Sequence, residues 1–92
     1  MKQTAKQDHI RQLFELITNI DNIDDCRALF DDLCTIKELE NMAERCHAAK
    51  LLIEGNTYNQ VMAQADISSA TLSRVSRCVQ YGQGYRKLLN EK

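Results

Sequence analysis

Between Ser68 and Arg77 the chain reads Ser-Ser-Ala-Thr-Leu-Ser-Arg-Val-Ser-Arg. Hydroxyl and guanidinium groups recur there around two apolar residues, Leu72 and Val75. Helical spacing turns Leu72 and Val75 inward and leaves Ser69, Ala70, Thr71, Ser73, Arg74 and Arg77 outward or at the boundary. The chemistry available is hydrogen bonding and charge. Ser69 and Thr71 can bond base edges or phosphates, and the Thr71 methyl can touch a thymine methyl. Arg74 and Arg77 can meet phosphates, or guanine if they reach the floor of a major groove. Small side chains at the helix start let the backbone come close, and free N–H groups there favour phosphate.

The flanking residues predict the elements that position this segment. Thr57 to Cys78 reads as two short helices joined by a tight turn, the sequence form of a helix-turn-helix. Thr57-Tyr58-Asn59-Gln60 has the form of a capping box that opens the first of them. Val61 and Ala65 share its inner face. Asp66 falls in the turn, where a left-handed conformation is expected, and Ile67 is the apolar plug after it. Ser68 is a suitable N-cap for the second helix.

Upstream, Thr35-Ile36-Lys37-Glu38 is another capping box. It opens a helix running through Leu39, Met42, Ala43, Cys46, Ala49 and Ile53, with Gly55 as its left-handed C-cap. Ile10, Leu13, Phe14 and Ile17 form one apolar stripe on a first helix. Ile23, Cys26, Leu29, Phe30 and Leu33 form another on a second, with Asp21, Asn22 and Asp24 placed to cap it. Both faces are strongly apolar for so short a chain, so pairing with a second copy is expected to cover them. Tyr81 to Gly84 breaks the helical pattern, and Tyr85 to Glu91 can form a last short helix. No β-alternation, internal repeat or linker is present. The expectation is a single all-α domain: dimerisation helices over 1–34, a core helix over 35–56, the helix-turn-helix over 57–79 and a C-terminal helix over 80–92.

Composition narrows the function classes. At 92 residues and 43% hydrophobic, the chain can fold but buries a limited core, so association would help it. No apolar run approaches the length needed to span a bilayer. The N-terminal stretch MKQTAKQDHI lacks the apolar centre of a signal peptide, so a cytoplasmic location is expected. Cys26, Cys34, Cys46 and Cys78 are separated by 8, 12 and 32 residues. That spacing suits neither a zinc site nor, in a reducing compartment, disulfides, so they are expected as small core residues. His9 and His47 stand alone, and no metal site is expected. No nucleophile–base pair or phosphate-cradling glycine loop is visible, and Asp24-Asp25 and Asp31-Asp32 read as solvated charges, so an enzyme is not expected. The charge is unevenly spread. Residues 1–66 hold seven Lys/Arg and twelve Asp/Glu, a net −5, whereas residues 67–92 hold five Lys/Arg and one acid, a net +4. A basic end on an acidic body suits a protein that presents one face to phosphate.

From Leu33 to Leu89 the chain resembles the Trp repressor family, and within it the small bacterial Trp-repressor-like proteins of the YerC/YecD group. The marks are Ala43-Glu44-Arg45, the Leu-Leu-Ile-Glu-Gly ending at Gly55, the Thr57-Tyr58 start, Ser-x-Ala-Thr-Leu-Ser-Arg from Ser68 to Arg74, and Tyr81-Gly82. The resemblance implies an all-helical, intertwined homodimer whose two reading helices enter successive major grooves of double-stranded DNA. It matches Ser69, Ala70 and Thr71 to base-contacting positions and Ser73 to a phosphate contact. With Ser68, Arg74 and Arg77 these make the expected DNA-binding set.

The resemblance also implies a small-molecule corepressor pocket, placed at Thr35, Arg45, Arg74, Val75 and Cys78. The family archetype seats an indole there between two arginines, which Arg45 and Arg74 match. Two positions depart from the pattern. Val75 replaces a glycine, and Cys78 replaces a serine that helps hold the ligand's amino group. A β-branched side chain should fill much of the space, so a tryptophan corepressor is not expected. Val75 then acts as a built-in filler that preorganises the reading head, or the pocket takes a different, smaller ligand of unknown identity. No cofactor is otherwise expected. The function expected is a sequence-specific transcriptional regulator, a repressor by analogy with the family. The alternative is a helical dimeric protein-interaction module without DNA readout, which the acidic first two-thirds keeps open.

Overall fold

In the computed structural model, which describes residues 4–90, every regular element among those residues is a helix. The chain divides into two compact units, Met1–Thr35 and Ile36–Lys92.

The first unit holds α1 (Ala5–Thr18) and α2 (Ile23–Leu33). Thr4 and Gln7 form a capping box at the start of α1: the Gln7 N–H donates to Thr4 Oγ1 at 3.1 Å and the Thr4 N–H to Gln7 Oε1 at 2.7 Å. Of the residues placed to cap α2, Asn22 does so, its Oδ1 accepting the Asp25 N–H at 2.8 Å. Neither helix buries a residue. Phe14 remains 60% exposed and Ile23 83%.

The second unit is built on α3 (Ile36–Ile53), with α4 (Tyr58–Gln64), α5 (Ser69–Tyr81) and α6 (Gly84–Leu89) packed against it. α3 ends in a Schellman motif. Gly55 takes φ +100°, the Gly55 N–H donates to the Leu52 carbonyl and the Asn56 N–H to the Leu51 carbonyl, both at 3.0 Å. Thr57 and Gln60 form the expected capping box of α4.

Two apolar clusters share α3. One joins Ala48 and Leu51 to Val61, Ala65 and Leu72. The other joins Ala49 to Val75 and Val79. Leu52 and Ile67 pack against both. The buried positions of α3 are therefore Ala48, Ala49 and Leu51, while the expected core positions Ala43 and Cys46 are exposed. A single stripe at i, i+3, i+4 spacing describes a helix covered on one side, and α3 is covered on two. The cysteines also differ from expectation. Cys46 is exposed and Cys26, Cys34 and Cys78 are half-buried, all four as free thiols. The last helix begins at Gly84 rather than Tyr85, and Glu91 lies outside the described residues.

Candidate nucleic-acid interface

The turn between α4 and α5 is made without a left-handed residue. No described residue other than glycine has positive φ, which corrects the expectation for Asp66. The Ile67 N–H instead donates to the Ala65 carbonyl at 3.1 Å, closing a three-residue turn about Asp66. The Asp66 N–H donates to Glu44 Oε1 at 2.9 Å. Glu44, from the Ala-Glu-Arg segment of α3, thus holds the turn from 22 positions away. A carboxylate that accepts the turn amide satisfies the donor that a tight turn would otherwise leave without a protein partner.

Ser68 caps α5, its Oγ accepting the Thr71 N–H at 3.1 Å and donating to Thr71 Oγ1 at 3.0 Å. The underside of α5 is closed: Leu72, Val75, Ser76 and Val79 are buried. Its outer side carries Ser69, Ala70, Ser73, Arg74 and Arg77, all exposed. Steps of four residues, from Ser69 through Ser73 to Arg77 and from Ala70 to Arg74, align them as one ridge. Thr71 sits at the boundary, half-buried and engaged with the cap. Beside it is a polar cleft of about 280 Å³ lined by Lys37, Asn41, Glu44, Arg45, Asp66, Ile67, Ser68 and Thr71.

The residues expected around a ligand stand in different settings. Arg45 is half-buried beside the polar cleft, Arg74 is exposed on α5, and Thr35 belongs to the first unit. Val75 is 2% exposed, packed with Ala49 and Val79. Cys78 lines an apolar groove of about 490 Å³ with Cys46, Tyr85, Leu88 and Leu89. Tyr85, a residue that sequence reasoning passed over, relates four of the five. It packs against the cluster holding Val75, and its phenol feels Arg45, Arg74 and Cys78. Burial chiefly, then the Cys46 thiol, pushes that phenol above its ordinary value; Arg45 pulls it down, Cys78 raises it and Arg74 lowers it. Among the described residues, no group of three or more His, Cys, Asp or Glu side chains is placed to hold a metal ion. None of the described helices is long and apolar enough to cross a membrane.

The family model for the Trp repressor protein matches residues 8–92. The chain belongs to the Trp repressor family. Within it, the chain is 45% identical over 71 residues to YerC of Bacillus subtilis (strain 168), an uncharacterised protein, covering 77% of this chain and 68% of YerC. It is similar to the crystal structure of a candidate Trp repressor from Staphylococcus aureus, with a TM-score of 0.86 and 33% identity over 98% of this chain and 93% of that one. A TrpR-like protein from Eubacterium eligens ATCC 27750 matches with a TM-score of 0.83 and 35% identity, over 88% of this chain and 84% of its own. The Trp repressor family consists of regulators rather than enzymes, so this chain is not an enzyme.

Proposed function

We propose that the chain acts in the cytoplasm as a homodimeric, sequence-specific DNA-binding transcriptional repressor. The observation that carries this is the two-sided build of α5. A ridge of small hydroxyl side chains and two arginines stands in solvent on a helix whose underside is closed by Leu72, Val75 and Val79. Such a ridge can enter a major groove without disturbing the core. Membership of the Trp repressor family supports the same function, and the exposed Ile10, Phe14, Leu16 and Ile23 of the first unit support pairing with a second copy. Val75, 2% exposed and packed with Ala49 and Val79, speaks against tryptophan as the effector.

Selection of bound sites from random duplex DNA, followed by salt titration, tests the proposal. The expected winner is a palindrome with half-sites about 34 Å apart. Its affinity should fall steeply with salt and not respond to tryptophan. Arg74→Ala should lower affinity, reducing the salt slope by about one if it meets a phosphate. Failure to enrich any sequence would favour the protein-interaction module instead.

A further inference from the structure

The reading ridge leaves α6 without a role, yet α6 is anchored to the helix that carries that ridge. Tyr85 and Leu89 pack against Ala49, Val75 and Val79, where α3 meets α5. Arg86 Nε donates to the Val79 carbonyl at 3.0 Å in a half-buried setting. The chain leaves α5 through Gly82, where a Cβ would lie 2.7 Å from the Cys78 carbonyl oxygen of the last turn. A helix of six residues does not hold its shape unaided, so its packing orders it.

We propose that Tyr85 is a built-in effector: its ring, carried by α6, seats against the α3–α5 junction and holds α5 in its reading orientation, so that DNA binding needs no small molecule. This rests on the DNA-binding function proposed above. Tyr85 is a positioning residue, acting on DNA only through α5. It also lines the apolar groove together with Cys46 and Cys78. Only Gly82 and Gln83 separate the two helices. A tether that short gives an effective concentration in the millimolar range, above that of most free competitors.

The test uses the full chain and its selected DNA site. Tyr85→Ala should lower affinity about tenfold by reducing the binding-competent fraction, while Tyr85→Phe stays within about twofold of wild type. Added p-cresol, the severed side chain, should restore binding by Tyr85→Ala. Wild-type affinity in Tyr85→Ala, or a loss that p-cresol leaves unchanged, would overturn the proposal. Where Tyr85→Ala does not fold, Tyr85→Leu replaces it; weaker binding than Tyr85→Phe supports the ring's role and equal binding refutes it. Amide exchange over residues 72–79 judges the brace without DNA. Exchange about tenfold faster in the variant supports it and unchanged exchange overturns it, even if the wild type selects no DNA and the function itself falls.

Discussion

The two compact units treat their apolar side chains in opposite ways. Met1–Thr35 has well-capped helices and clear apolar stripes, yet buries none of its described residues. Ile36–Lys92 contains every buried residue of the described chain. The difference lies in how many helices are available to cover each stripe. Within its unit α3 is packed by α4, α5 and α6, so its residues are enclosed from two sides. Within the first unit α1 and α2 have only each other. An amphipathic pattern therefore specifies a face, and the number of neighbours decides whether that face becomes a core.

The sharpest probe of this contrast is Leu72→Ala, which empties a fully buried site in the finished unit. It should cost about 2–5 kcal/mol, read by urea denaturation. Loss of less than half the lower figure would mean that α3 and α5 collapse onto the gap. Phe14→Asp, in the open unit, should cost little in a single chain but, if the proposed dimer forms through this face, about 2–4 kcal/mol of association, read by sedimentation equilibrium. Unchanged association would remove Phe14 from the pairing face.

Caps offer a finer comparison. Thr57→Ala in the second unit and Asn22→Ala in the first should each cost about 1 kcal/mol, because capping is local and indifferent to the surrounding core. A much smaller cost for Asn22→Ala would show that α2 frays before the rest unfolds. The mildest expected effect is alkaline. Burial holds the Tyr85 phenol above its ordinary 10.0, so the folded state keeps that proton longer than the unfolded state does. The resulting stability is fully present below pH 10.0 and is lost as pH rises through the folded-state value. Tyr85→Phe should remove that alkaline component of the denaturation profile and leave the neutral-pH behaviour of the fold in place.

What the sequence made legible was the chemistry that acts over three or four residues. The capping box at Thr57, the Ser68 cap and the left-handed Gly55 all follow from side-chain types at fixed short offsets. The inward set Val61, Ala65, Leu72 and Val75 follows from helical spacing. The misses share a different origin. Asp66 avoids the left-handed conformation because a distant carboxylate supports its amide. Ala48 and Leu51 are buried because two clusters converge on α3, which no one-stripe pattern encodes. Tyr85 gains its place only through packing against Ala49, Val75 and Val79, residues on other helices. The ridge was legible by type and Thr71 as a boundary residue, whereas the hydroxyl contact between Thr71 and the Ser68 cap was not.

The exposed ridge on α5 also bears on how this protein can diverge. Ser69, Ala70 and Ser73 support neither cluster, so substitutions there should change stability by no more than about 0.5 kcal/mol. Ser68 and Thr71 lack that latitude because they hold the helix start. The surface offered to a partner can therefore be rewritten in small steps on an unchanged frame, and duplicated copies could acquire separate targets without passing through an unfolded ancestor.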